Sequence, residues 1–168
     1  MSLSMHGSSV PVLQRMLGNL IRIMDKAEAH AAARRFSPDA YLALRLAPDM
    51  LPFSKQIQIA SDNAKGCVAR LSGQEPPAWP DDETTFEQLK ARLQRTLDYV
   101  GSVPEAGFDG AEAREVVLKF RNRDPIVFTG ENYLRHFALP NFYFHVTTAY
   151  ALLRHAGVEL GKGDFLGG

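Results

Sequence analysis

Apolar residues recur three and four positions apart in four separate stretches of the chain, the spacing of one face of an α-helix. Val10, Leu13, Leu17, Leu20, Met24, Ala27 and Ala31 form the first stripe. Ser9-Val10-Pro11 reads as its capped start, and the helix is expected to run to about Arg34. Phe53, Ile57, Ala60, Ala64, Cys67, Val68 and Leu71 form the second, with Gly73 as a left-handed cap. Phe86, Leu89, Leu93, Leu97 and Val100 form the third. It opens at a capping box, Thr84 to Glu87, and ends near Val100-Gly101. The last helix is expected from Thr129-Gly130 to Gly157, with Phe142, Val146, Ala149, Leu153 and Ala156 on its apolar face.

The segments between the stripes are punctuated by proline and glycine. Ser37-Pro38 predicts a short helix over residues 38–45, which the prolines at 48 and 52 terminate. Residues 74–80 read as a loop stiffened by Pro76, Pro77 and Pro80. Residues 114–120 and 125–128 are β-prone and predict a hairpin whose loop is residues 121–124. Residues 158–168 read as a loop, and residues 1–8 as a flexible tail, in part vector-derived. The fold expected is therefore all-α with a small β-hairpin, a four-helix bundle in one domain over residues 9–168. Its connections are too long for tight up-down-up-down turns.

Composition narrows the classes of function. Nineteen basic residues balance nineteen acidic ones, which argues against a nucleic-acid binder or an anionic-membrane binder. The single cysteine, Cys67, rules out a disulfide framework and fits a reducing cytoplasm. No run of about 20 apolar residues suggests a membrane span, and the N-terminus lacks the pattern of a signal peptide.

The candidate chemistry lies on the last helix. Asn141, His145 and Thr148 follow one another at four- and three-residue spacing, a polar strip along the edge of the apolar face. Such a strip needs partners, because an unpaired buried polar group costs about 1–3 kcal/mol. Three readings stand: a hydrogen-bonded structural network, a pocket for a small ligand, and ligation of a metal. His136, nine residues before His145, falls about 180° away around a straight helix and is expected to be structural or at the surface. His155 and His30 are expected to be exposed, Asp49 to cap the second helix or, failing that, to line the pocket mouth, and Cys67 to be a buried, inert thiol. No Gly-x-Ser-x-Gly elbow or phosphate-binding glycine loop occurs. Phe142, Tyr143 and Phe144 point in three directions around the last helix, and Ile59 lies off its helix's apolar face. These positions predict a homodimer.

Several motifs carry a family likeness. Residues 15–20 (Arg-Met-Leu-Gly-Asn-Leu), Asp25-Lys26-Ala27, residues 46–50 (Leu-Ala-Pro-Asp-Met) and residues 136–145 (His-Phe-Ala-Leu-Pro-Asn-Phe-Tyr-Phe-His) resemble the bacterial family DUF1993. That family looks like a branch of the DinB/YfiT-like metalloenzyme superfamily. The resemblance implies a DinB-like four-helix bundle, and in metal-binding members three histidines on a divalent ion. Some members are thiol transferases. Carried over by position, His145 matches one ligand histidine, Asn141 stands where a second would be, and Gln56 is the polar residue nearest the third. Neutral amides are poor ligands for zinc or nickel, so no cofactor is expected; any metal would fall to His145 with Asn141 and Gln56. The function implied is a small-molecule-binding or regulatory module with a degenerate metal site, its pocket lined by Gln56, Asn141, His145 and Thr148. The alternative is a metal-dependent or thiol-transfer enzyme.

Overall fold

The computed structural model describes residues 4–168 except Arg121. Four long helices form the bundle: α1 (Met5–Ala33), α2 (Phe53–Leu71), α3 (Phe86–Ser102) and, after a short α4 (Gly130–Tyr133), α5 (Leu139–His155). The hairpin β1 (Glu115–Leu118) and β2 (Ile126–Thr129) precedes α4, and a further short helix, α6 (Lys162–Leu166), closes the chain. The most extensive packing joins α2 to α5, α1 to α3 and α2 to α3. All four apolar stripes meet in one core, where Leu17, Leu20, Ile57, Val68, Leu89, Leu93, Phe142 and Val146 are fully buried. Phe53 stacks on Phe86 with ring centroids 5.7 Å apart, joining the first turns of α2 and α3.

The structure corrects several expected boundaries. Helix α1 starts at Met5, capped by Ser4, so residues 5–8 belong to the helix instead of to a tail. Pro11 lies inside it, and the residue four before it is the exposed Gly7, whose freed carbonyl can turn to water. Ser9 does not cap; its hydroxyl donates back to the Met5 carbonyl at 2.6 Å. The capping box of α3 sits one residue later than expected, on Thr85 and Gln88. Gln88 Oε1 accepts from the N–H groups of both Thr84 and Thr85, which moves the cap off Thr84. Asp49 is exposed and caps nothing; the Leu44 and Leu42 carbonyls accept instead from Phe53 and Ser54. The expected helix after Ser37 is a single 3-10 turn, Pro38–Tyr41.

The hairpin pairs Leu118 with Ile126, so its connection is residues 119–125 instead of 121–124, with Arg121 outside the described residues. Pro125 has no N–H with which to extend the ladder. The C-terminal loop expectation is also corrected. Val158 and Leu160 are buried, and α6 docks on α1 through Asn19 Nδ2 donating to the Phe165 carbonyl at 2.8 Å and a 2.6 Å Lys26–Asp164 ion pair. Five residues are too few to show a helical period in sequence.

The last helical run contains a π turn at Leu134–Ala138, between α4 and α5. The Leu139 N–H reaches back to the Leu134 carbonyl, five residues away. Pro140, having no N–H, cannot continue an ordinary ladder from residue 136, and the wider turn accommodates that gap. No helix among the described residues is long and apolar enough to cross a membrane.

Candidate functional site

The contact between α2 and α5 carries the expected site residues. Gln56 lies one turn into α2, between Phe53 and Ala60 on the buried face, and is only 1% exposed. His145 lies one turn before Ala149 on α5 and is 8% exposed. Gln56 Oε1 is 2.7 Å from His145 Nδ1, and Gln56 Nε2 donates to the Leu51 carbonyl at 3.0 Å.

These two bonds fix the tautomer of the histidine. The Leu51 carbonyl can only accept, so the amide nitrogen of Gln56 must face it and the amide oxygen must face His145. That oxygen also only accepts, so His145 Nδ1 carries the proton. Burial lowers the pKa of His145 below its ordinary value, favouring the neutral ring. In the neutral ring Nε2 is then unprotonated. It makes no hydrogen bond among the described residues and is not sealed from solvent. Phe144 packs edge-on against the ring, with centroids 5.2 Å apart.

The other expected residues do not converge on His145. Asn141 Nδ2 donates to Asn63 Oδ1 at 2.9 Å, a second bond between α2 and α5. Thr148 donates to the Phe144 carbonyl of its own helix at 2.7 Å. Asn63 lies two turns after Gln56, and Asn141 one turn before His145, so the two pairs form successive rungs between antiparallel helices. Asn63 was missed in the sequence, although its seven-residue spacing from Gln56 is a readable signal.

Beside this ladder lies an apolar groove of about 410 Å³ between the 46–50 loop and α5, lined by Leu46, Met50, Tyr143, Phe144, Thr147, Thr148 and Ala151. Of the four expected lining residues only Thr148 reaches it. The same loop leads into Leu51, which orients Gln56. The remaining histidines are structural or superficial. His136 and His155 are exposed, as expected, whereas His30 is half-buried, with Nδ1 2.6 Å from the Tyr41 hydroxyl, because the Pro38–Tyr41 turn folds back over α1. Cys67 is fully buried, and burial pushes its pKa up to about 12.

The donor set does not fit a divalent metal. It comprises one imidazole and two neutral amides; Gln56 Oε1 is engaged by His145 itself, and Asn141 is turned to Asn63. Among the described residues, no three His, Cys, Asp or Glu side chains are grouped to hold a metal ion.

The family model described as "Domain of unknown function (DUF1993)" matches residues 5–166. The chain belongs to this family. A crystal structure of a DinB family member protein from Shewanella denitrificans is similar to this chain: it is 41% identical, with 97% of this chain and 92% of that chain covered, at a TM-score of 0.89. The fold of this DUF1993 protein is thus DinB-like, as its sequence motifs imply. No curated protein matches the sequence.

Proposed function

We propose that this DUF1993 protein is a small-molecule-binding module whose recognition centre is His145 Nε2 beside the groove on α5. The observation that supports this most directly is the Gln56–His145 bond. It holds the ring as the Nδ1–H tautomer and leaves Nε2 free to accept. The ligand chemistry this favours is an apolar body bearing one hydrogen-bond donor, a hydroxyl, amine or thiol, with the body along Leu46, Met50 and Phe144. Phe144, 56% exposed, and Leu46, 50% exposed, further support a homodimer in which a second copy closes the groove.

The alternative, an enzyme of the metal-dependent or thiol-transfer type, rests on fold likeness. A fragment screen followed by NMR of the His145 ring separates the readings. Binders are expected to carry a donor group, to shift the His145 resonances, and to be lost on His145→Phe with the fold intact. Hits that ignore this variant would sink the proposal. So would one divalent ion per chain, retained without chelator and lost on His145→Ala.

A further inference from the structure

A polar cleft of about 500 Å³ opens at the C-terminal end of α2, lined by Arg70, Gly73, Glu75, Arg114, Glu115 and Lys119 among others. Arg70 is 14 residues beyond Gln56, about 21 Å along the helix axis, so this cleft is separate from the His145 centre. Its walls are the turn after α2 and strand β1.

Arg70 is held in place but not neutralised. Its Nη1 donates to the Tyr133 hydroxyl at 3.2 Å, and its guanidinium carbon lies 5.9 Å from the Tyr133 ring centroid. The guanidinium rests on Gly66, where a Cβ would collide with Nη1. Tyr133 is buried against it, with its pKa raised to about 12 by that burial, so the hydroxyl is a fixed neutral partner. No carboxylate lies within ion-pairing distance of Arg70 among the described residues. A guanidinium presents five N–H donors in a rigid fork, and Tyr133 engages one of them. The C-terminal dipole of α2 favours a cation here, but the remaining donors are unfilled among the described residues.

The second guanidinium in the cleft is spent differently. Arg114 donates to the backbone carbonyls of Leu71, Gly107 and Asp109, which closes the end of α2. Its donors are largely used, while its charge meets no carboxylate at bonding distance among the described residues. Lys119 is exposed at the rim. Two guanidinium charges and an ammonium therefore face one cleft, and neither Glu75 nor Glu115 forms an ion pair with them among the described residues.

We infer that this cleft binds the single oxyanion group of a small molecule, a carboxylate or a phosphate, with Arg70 as its anchor. A guanidinium oriented by packing and by one neutral hydroxyl has its fork preorganised for two parallel bonds to such a group. Glu75 and Glu115, which line the same cleft, oppose a polyanion, which restricts the ligand to one charged group.

The test is titration of the full chain with sodium phosphate and, separately, with sodium acetate at constant ionic strength. It is read by calorimetry and by the Arg70 Nε–Hε resonance. Saturable binding of one anion per chain is expected, with the Arg70 resonance moving. A response to phosphate alone or to acetate alone supports the inference and names the oxyanion class. Arg70→Gln is expected to weaken binding about tenfold or more, the effect of losing a charge-assisted bond. Arg70→Lys, which keeps the charge but not the fork, should fall between. Lys119→Gln lies outside the helix core, so weaker binding in that folded variant guards against misreading a fold defect in the Arg70 variants. Glu115→Gln should tighten binding. A response that never saturates for either anion, or binding unchanged in folded Arg70→Gln, would overturn the site.

Discussion

Gln56 and His145 join α2 to α5 by a 2.7 Å bond between side chains 89 positions apart in sequence, with the amide oxygen on the imidazole Nδ1. The amide is itself held by the Leu51 carbonyl, so the loop before α2 sets the state of a ring on α5. Replacing Gln56 with Leu leaves the buried Nδ1–H and the Leu51 carbonyl without partners. The variant is expected to lose about 1–3 kcal/mol in urea unfolding. An unchanged midpoint would mean that the ring finds water instead.

The same burial makes stability sensitive to acid. His145 has a pKa below its ordinary value of 6.5 in the folded chain, so the unfolded chain takes up the proton first as pH falls. Stability from the neutral ring is complete above the unfolded pKa and is lost as pH falls from there through the folded pKa. Unfolding free energies measured between about pH 7.5 and pH 5.5 should decline more steeply for the wild type than for His145→Gln. Parallel curves would contradict the role assigned to burial.

Arg92 is the polar hub on the opposite side of α2. Its side chain is 2% exposed and reaches Asp62 at 2.8 Å, Asp81 at 3.0 Å and Glu83 at 2.9 Å, with the Pro80 carbonyl also at 2.8 Å. It fastens the proline-rich 74–83 segment to α2 and α3. Arg92→Met strands Glu83 beside Gln58, while Asp62 and Asp81 keep access to water, so a cost of about 3 kcal/mol is expected, the low end for a broken buried pair. Hydrogen exchange should also speed up over residues 78–84 in particular.

Gly130 marks where the chain leaves the hairpin and passes against residue 111. A Cβ there would overlap the Ala111 carbonyl oxygen, a backbone atom that cannot swing aside. Gly130→Ala is expected to cost about 3 kcal/mol or more, visible as a lower melting temperature, whereas Gly163→Ala meets no atom and should be tolerated far better.

The bundle was readable because helical periodicity is local. Phe53, Ile57, Val68 and Leu71 mark α2 without reference to any other element, and its observed limits, Phe53–Leu71, are those the stripe predicts. Caps were less readable: that of α3 falls one residue later than expected, on Thr85, because adjacent threonines offer the same hydroxyl and their neighbours decide between them, and that of α1 falls on Ser4 instead of Ser9. The π turn at Leu134–Ala138 escaped the sequence: Pro140 announces a missing donor but not how the ladder closes around it. At the site, the polar edge of α5 was legible as Asn141, His145 and Thr148. Their separation into two rungs and a local bond was not.

Alternation of apolar and polar side chains thus determined by itself that four helices form and which face of each is buried, since a stripe lies on one side of a helix whatever packs against it. Family motifs added the DinB-like arrangement. Only tertiary structure decided that Gln56 meets His145, that Asn141 turns to Asn63, and that Arg70 is left with donors unfilled among the described residues. Hydrogen-bond partners are chosen within a few ångströms and directionally, so they depend on how the packed helices are rotated and shifted along one another, which no local pattern specifies.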